Sequence, residues 1–407
     1  MKFNFSPLTR ETFLAEYWQQ KPFLFKGALS NIDAPLDAPF DASFGASFDD
    51  PISADELAGL AAEPCVESRL ISRENQTWQS RSGPFTDYDA LGDKDWSLVV
   101  QSVNHWHLPT QQFADCFNFI PAWRFDDVMV SFAATNGGVG PHVDNYDVFI
   151  CQGSGNRRWR VGAFGDFEET LASATLRHVK PFTAIIDEVL RAGDVLYIPP
   201  GFAHEGIAQN ASMSFSIGYK STNTNELLSG WADYHLDHVE QPMLLTDAKR
   251  QAGAYSAISA EDCARIKQLL LATTDHTDQL NDFIGRYYSA PRHELDIVAD
   301  DWDYADWLAE LKTKPLYKTL GLKTLYLSSL SEAAPEYRRF YLNGEPIALD
   351  WASTQDIMAI CDLPALDYAT VSAFDQPSNW LTWLYEQTNT GYWFFCQDTI
   401  CQDALYE

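Results

Sequence analysis

Residues 135–161 read TNGGVGPHVDNYDVFICQGSGNRRWRV, and the prediction of the fold starts from this stretch. His142 and Asp144 stand two residues apart, so a β-strand would place an imidazole and a carboxylate on one face. A glycine run and Pro141 precede the pair, which indicates a tight turn into that strand. The segment therefore predicts a strand face that can hold a metal ion.

The residues that follow predict two strands joined by a turn. Residues 148–151 are apolar throughout, residues 153–156 favour a turn, and residues 157–161 continue as a return strand. Because side chains alternate along a strand, Arg157 shares a face with Trp159 and Val161, whereas Arg158 faces the other way. We therefore expect a β-hairpin here.

A second stretch, RAGDVLYIPPGFAHEG at residues 191–206, supplies another histidine. It predicts a turn, an apolar strand and a Pro-Pro-Gly turn, with His204 opening the next strand. Two histidines and one carboxylate with open coordination positions form the facial triad of non-haem Fe(II) oxygenases. His142, Asp144 and His204 are thus the candidate ligands, although such a site also accepts Mn, Ni or Zn.

Both stretches resemble the cupin-type JmjC oxygenases that use 2-oxoglutarate, and more closely the bacterial ribosomal oxygenases. The matching text is GGVGPHVDNYDVFICQGSGNRRWRVG with AGDVLYIPPGFAHEG, supported by YWQQKPFLFKGAL near the amino terminus. The resemblance covers the first half of the chain well, and the second half only in length and layout. It implies a double-stranded β-helix barrel that binds Fe(II), 2-oxoglutarate and O2.

The resemblance also assigns roles to individual residues. It implies that Arg157 binds the far carboxylate of 2-oxoglutarate with its planar guanidinium. Arg158 is the alternative if the strand register shifts by one residue. Five further residues are candidates for lining the substrate site: Asn145, Tyr146 and Asp147 after the ligands, and Ser214 or Ser216 on the alternating strand predicted at residues 212–219.

The substrate implied by the resemblance is the β-carbon (C3) of an arginine on large-subunit ribosomal protein sixteen. Two alternatives stay open. One is the same chemistry on a different protein side chain, by histidine hydroxylation or lysine demethylation. The other is a non-catalytic cupin that binds a ligand or a partner.

The chain has 407 residues, which is too long for one ordinary hydrophobic core. We predict an α+β protein with a catalytic domain at residues 1–222, a helical region at 223–290 and a separate α+β domain at 291–407. The resemblance implies a JmjC/cupin fold for the first and a winged-helix-like fold for the last. The resemblance assigns the helical region to dimerisation, and we expect a twofold homodimer. Residues 31–51 predict an irregular surface loop.

Charge and cysteine content narrow the class of partner and the compartment. The net charge of −29 opposes nucleic-acid binding and favours a basic protein partner. Residues 291–407 hold seven Lys or Arg against nineteen Asp or Glu, a net charge of −12, so we expect no direct DNA binding. Seven cysteines without close pairing indicate a reducing compartment, and no apolar run approaches the ~20 residues of a membrane span. We expect a cytoplasmic protein.

The remaining histidines are interpreted as structural. His105 and His107 share a predicted strand face, but no carboxylate stands at matching spacing. His235 and His238 lie one helical turn apart, which is typical of a polar helix face. The last three are assigned to the surface or to packing: His178, His276 and His293.

Overall fold

The computed structural model describes residues 2–30, 48–74, 77–165, 167–173, 176–248, 250, 253–295, 297–328 and 340–395. Most of the surface loop predicted at residues 31–51 lies outside these ranges, because residues 31–47 are not among them. The described residues form two compact units. One extends to Ser221, and the other is Thr222–Phe395.

The first unit contains fifteen strands and three α-helices, counted over the described residues. The strands are β1 (Lys2–Phe3), β2 (Phe23–Phe25), β3 (Leu29–Ser30), β4 (Ser68–Glu74), β5 (Thr77–Ser82), β6 (Trp96–Val100), β7 (Phe125–Ala133), β8 (Asp147–Gln152), β9 (Arg157–Phe164), β10 (Glu169–Leu171), β11 (Arg177–Val179), β12 (Ala184–Leu190), β13 (Val195–Ile198), β14 (Phe202–Ala208) and β15 (Ser212–Tyr219). The helices are α1 (Arg10–Glu16), α2 (Ala54–Leu60) and α3 (Leu108–Ala114).

Two antiparallel sheets form the barrel of this unit. The larger has eight strands in the order β2-β13-β8-β15-β7-β6-β4-β5, and the smaller has the order β12-β9-β14. A compact apolar cluster joins them, with Val148 and Ile150 from the large sheet meeting Val161 and Phe202 from the small one. Burial of such apolar surface is the main force that holds two sheets face to face.

The predicted hairpin between residues 148 and 161 is wrong. The two strands exist as β8 and β9, but they belong to different sheets. Both edges of β8 are occupied by β13 and β15, and both edges of β9 by β12 and β14. The turn between them bonds elsewhere, since the Gly153 amide donates to the Met213 carbonyl at 3.0 Å. Long-range strand pairing therefore overrides the local turn signal.

The second unit holds seven helices and six short strands among its described residues. The helices are α4 (Thr224–His238), α5 (Ala260–Ala272), α6 (Thr277–Ser289), α7 (Tyr304–Leu311), α8 (Thr354–Asp362), α9 (Tyr368–Ser372) and α10 (Pro377–Thr390). The strands are β16 (Leu316–Lys318), β17 (Thr324–Tyr326), β18 (Phe340–Leu342), β19 (Glu345–Ile347), β20 (Ala365–Leu366) and β21 (Trp393–Phe395).

An aromatic core stabilises the carboxyl-terminal part of the second unit. Trp307, Trp380 and Trp393 are fully buried in it. A smaller cluster packs α4 against α6 through Trp231, and Tyr234 donates a hydrogen bond to Asp282 at 3.0 Å. Helix α5 differs because it buries none of its residues. No helix in the described ranges is both long and apolar enough to cross a membrane.

A buried carboxylate ties the first helix to the barrel. Asp147, at the start of β8, is fully buried and accepts hydrogen bonds from Tyr197 at 2.6 Å and from Gln19 at 2.9 Å. It also forms an ion pair with Arg124 at 3.1 Å and accepts a bond from Ser221 at 3.2 Å. Because every donor comes from a different part of the chain, one carboxylate fixes the base of the barrel.

Replacing Asp147 with alanine is expected to lower the free energy of unfolding by about 3 to 5 kcal/mol, because Arg124, whose side chain is only 14% exposed, would lose its counter-charge. Urea denaturation followed by circular dichroism measures the change. Asp187→Ala is the control, since it removes an ion pair with Arg158 that is exposed to solvent and should change stability little. Equal effects of the two variants would contradict this account.

Candidate metal centre and active site

His142 and His204 face each other across an isolated antiparallel bridge. The His142 amide donates to the His204 carbonyl at 3.0 Å, and the His204 amide donates back at 2.9 Å. His204 lies on β14 as predicted, but the segment holding His142 and Asp144 is not a regular strand. Gly140, at φ +83°, and Pro141, which has no N–H to donate, interrupt the strand ladder there. The prediction of a strand at this pair is therefore wrong.

Despite the irregular backbone, the three candidate ligands come together. The Asp144 Oδ2 atom lies 3.4 Å from His204 Nε2 and 3.8 Å from His142 Nε2. All three ligand atoms lie within 4.8 Å of one another, and they form the only such metal-ligating cluster in the described part of the chain. Two imidazoles and one carboxylate are a donor set suited to iron and to other divalent transition metals.

Backbone carbonyls orient both imidazoles. The Nδ1 atom of His142 bonds the Gly140 carbonyl at 2.9 Å, and that of His204 bonds the Phe202 carbonyl at 3.0 Å. A carbonyl oxygen only accepts, so each Nδ1 carries the proton and each Nε2 keeps its lone pair. Contacts of this kind set the tautomer that a metal ligand needs.

The charges within the cluster also suit a metal. Burial alone would raise the pKa of Asp144, but the two neighbouring imidazoles outweigh it and hold the pKa at about 2. Burial and the nearby His204 lower the pKa of His142. At neutral pH the carboxylate is therefore ionised and the His142 imidazole is neutral, which are the forms that bind metals.

The cluster opens into a cavity of about 350 Å³ between the two sheets. Arg157 lines this cavity on β9 and is only 4% exposed. Its guanidinium donates to Ser131 at 2.9 Å and to the Ser212 carbonyl at 3.2 Å. Arg158 points away from the cavity and pairs with Asp187 at the surface, so the alternation predicted for β9 holds.

Arg157 is a buried cation without a counter-charge. Among the described residues, no carboxylate oxygen lies within 4 Å of its guanidinium, and burial lowers its pKa to about 10. A buried charge is costly unless an opposite charge compensates for it. The arrangement therefore favours an anionic ligand at this end of the cavity.

Three further polar atoms in the cavity wall have no hydrogen-bond partner among the described residues. They are the hydroxyls of Ser97 and Ser214 and the indole N–H of Trp159. Each is buried, and buried polar atoms are ordinarily hydrogen-bonded. Together with Arg157 they make the cavity fit an elongated ligand that carries oxygen atoms.

The weaker sequence candidates divide into two groups. Tyr146, Ser214 and Ser216 line the cavity, whereas Asn145 is exposed and Asp147 is buried away from the cavity lining. Sequence reasoning missed Ser131, which binds Arg157. Its alternation with Met129 along β7 was visible, but only the pairing of β7 with β15 turns these side chains toward the cavity.

The other paired histidines do not join the metal cluster. His235 packs edge-on against Trp231, with ring centroids 4.4 Å apart, and His238 stacks on Tyr234 at the same distance. His107 bonds the Thr110 hydroxyl at 2.9 Å. These contacts are structural.

Two family models match the chain. A JmjC domain matches residues 112–227, and a ROXA-like winged helix matches residues 272–394. The ribosomal protein uL16 3-hydroxylase of Escherichia coli is 39% identical to this chain, covering 94% of it and 96% of the relative. A probable ribosomal oxygenase of Haemophilus influenzae is 29% identical, covering 90% and 89%.

Solved structures agree with these matches. The X-ray structure of E. coli ycfD superimposes with a TM-score of 0.84 and 37% identity, covering 97% of this chain and all of that one. E. coli YcfD, a ribosomal oxygenase, in complex with cobalt and 2-oxoglutarate gives a TM-score of 0.81 at 37% identity, covering 97% and 99%. The predicted α+β architecture of a JmjC barrel with a carboxyl-terminal winged helix is confirmed.

Replacing Asp144 with asparagine is expected to weaken Co(II) binding by more than about 100-fold, because the site loses its only anionic ligand. Isothermal titration of the purified protein with Co(II) measures the dissociation constant. Asp187→Asn, which changes a carboxylate outside the cavity, should leave the affinity unchanged. Retention of wild-type affinity by Asp144→Asn would exclude this cluster as the metal site.

Proposed function

This chain belongs to the family of JmjC ribosomal oxygenases, and from that premise we propose that it hydroxylates an arginine of ribosomal protein uL16 at C3. It is a dioxygenase that depends on Fe(II) and 2-oxoglutarate. The observation in this chain that carries the proposal is the buried Arg157, which shares one cavity with the His-Asp-His cluster. A cation that lacks a carboxylate partner is matched to the free carboxylate of a 2-oxo dicarboxylic acid.

We assign the metal to His142, Asp144 and His204 and the far carboxylate of 2-oxoglutarate to Arg157. Ser131 already accepts a bond from the guanidinium, and the free hydroxyl of Ser214 lies beside it on the paired strand. Two serine hydroxyls beside the planar guanidinium can donate further hydrogen bonds to a bound carboxylate and so fix its position. Three protein ligands leave coordination positions open for the cosubstrates.

When bound, Fe(II) and 2-oxoglutarate activate O2 to insert one oxygen into a C–H bond, with succinate and carbon dioxide as coproducts. The protein contributes orientation and exclusion of water. The apolar side chains of Ile71, Val99, Val148 and Ile150 line the same cavity and keep it dry. No protein nucleophile takes part.

The substrate side chain is proposed to enter past Tyr146 and Met129. Tyr146 is 37% exposed, and an aromatic face of this kind stacks on a guanidinium. Ser216 lies on the same wall and offers a hydroxyl that can accept a hydrogen bond from it. The overall charge of −29 attracts a basic ribosomal protein to this entrance.

Intact-mass analysis of uL16, or of a peptide containing its arginine, tests the proposal after incubation with enzyme, Fe(II), ascorbate and 2-oxoglutarate. We expect a gain of one oxygen, mapped by fragmentation to C3 of an arginine. His142→Ala and Arg157→Gln should both abolish it, the first through the metal and the second through 2-oxoglutarate. Added 2-oxoglutarate should partly restore only the Arg157 variant, because its metal ligands are intact.

The outcomes separate the competing functions. Succinate formation without an added oxygen on uL16 would keep the chemistry and reject the substrate, in favour of histidine hydroxylation or lysine demethylation elsewhere. Absence of both, with metal bound, would favour the non-catalytic cupin. The presence of all three candidate metal ligands and of the buried arginine argues against this last function.

We also propose that residues 223–290 form a twofold homodimer interface. Four leucines of α4 and α5 are largely exposed, among them Leu236 at 83% and Leu270 at 67%. The segment between these helices exposes Leu244 at 80% and Ile258 at 76%. Exposed apolar side chains in this number favour burial against a partner, and a second copy of the chain supplies one by symmetry.

The double variant Leu236→Glu with Leu270→Glu is expected to convert the dimer to a folded monomer, because charges cannot be buried in an apolar interface without partners. Light scattering coupled to size-exclusion chromatography would show the mass of two chains fall to that of one. Val298→Glu is the matched control, since it alters an exposed apolar residue outside these helices. A monomeric wild type would refute the proposed interface.

We propose the cellular compartment from the cysteines and the role of residues 291–407 from their net charge. Cys65, Cys151, Cys263 and Cys361 are free thiols, which supports a cytoplasmic location. A net charge of −12 on residues 291–407 opposes contact with DNA and supports docking of a protein in its place.

A further inference from the structure

A short hairpin lies against the loop that carries His142. Strands β10 and β11 pair with each other, and Arg177 of β11 lines the cavity together with Leu176, the residue before it. The Val179 amide donates to the Pro141 carbonyl at 2.9 Å. The hairpin is therefore bonded to the residue that directly precedes a candidate metal ligand.

His178, on the same strand, makes the second connection. Its Nε2 atom bonds the Val139 carbonyl at 2.8 Å, so this nitrogen carries the proton. The side chain is 6% exposed, and its ring meets Trp78 edge-on with centroids 4.9 Å apart. His178 is not one of the three clustered ligands. Its protonated nitrogen is engaged in a hydrogen bond and its ring is enclosed.

The imidazole of His178 also packs on a bare Cα atom. A Cβ at Gly140 would lie 2.3 Å from this ring, and φ there is +83°. Glycine at position 140 therefore allows both the turn and the close approach. The hairpin therefore contacts three consecutive loop residues from one side, Val139, Gly140 and Pro141, directly before His142.

One further hydrogen bond links these hairpin contacts to the metal site. The Gly140 carbonyl orients His142 by accepting from its Nδ1 atom at 2.9 Å. His142 is outside a regular strand, and the bridge to His204 holds its backbone but does not set the rotation of its imidazole. The orientation of the His142 imidazole therefore depends on the Gly140 carbonyl. The hairpin bonds both neighbours of Gly140, which are Val139 and Pro141.

We propose that His178 is a positioning residue for the metal site. Its hydrogen bond to Val139 holds the loop so that Gly140 aims the His142 Nε2 atom at the metal. This inference rests on the proposed function only in taking His142 as a ligand. It assigns His178 a role in metal affinity, although the residue touches neither metal nor substrate.

Two substitutions separate the hydrogen bond from the packing. His178→Phe keeps a ring against Trp78 and Gly140 but cannot donate to the Val139 carbonyl. His178→Gln keeps a donor and loses the ring. Val179→Ala is the control for packing, because it removes a buried side chain from the same strand and leaves the imidazole bond intact.

The measurements are the dissociation constant for Co(II) and the visible absorption spectrum of the Co(II) protein, with circular dichroism to verify folding. Loss of an outer contact of a metal ligand weakens binding by about 10- to 100-fold, and this contact acts one step further away. We expect His178→Phe to weaken Co(II) binding about tenfold and to alter the spectrum. His178→Gln and Val179→Ala should stay within about twofold of the wild type, with its spectrum.

Failure of this inference is distinguishable from failure of the proposed function. If wild-type protein binds Co(II) and loses it in Asp144→Asn, the metal site stands. Wild-type affinity and spectrum in His178→Phe would then overturn the role of His178 alone. Equal weakening in Val179→Ala, or loss of binding in His178→Gln, would also overturn it, because packing would then explain the effect.

Discussion

The backbone bridge between His142 and His204 is the constraint on which the site depends. Two hydrogen bonds, of 3.0 and 2.9 Å, join the loop ahead of β8 to β14 and bring the two imidazoles together, with ring centroids 4.2 Å apart. Asp144 then lies within reach of both rings. Strands β8 and β14 belong to opposite sheets of the barrel, so the three side chains come together only in the folded barrel.

Charge balance inside the barrel explains why the cavity is a binding site. Asp144 is held ionised by two imidazoles, whereas Arg157 is buried with only neutral partners among the described residues. We propose that a metal completes the first end and that an anionic ligand completes the second. The unpartnered donors on Ser214 and Trp159 lie in the wall of the same cavity. In this proposal the bound metal and the anionic ligand supply the charges and hydrogen-bond partners that these side chains lack in the folded chain.

Much of the site was accessible from the sequence because it follows local rules. Alternation along β9 separated Arg157 from Arg158, and the strict pattern at residues 212–219 turned Ser214 and Ser216 inward. The identity of the ligands came from motif spacing together with a family resemblance. Position 178 shows the limit, because nothing near it in the sequence indicated that its imidazole bonds the loop before His142.

The sequence by itself determined most of the strands around the site, the acidic surface and the residue types suited to binding a metal and a carboxylate. These depend on side-chain chemistry and on periods of two or a few residues. The tertiary structure alone decided that β8 and β9 part into different sheets, and that His142 is held by a bridge in place of a strand. Both outcomes arise from hydrogen bonds between segments far apart in the chain, and a local pattern carries no information about which distant edge a strand will meet.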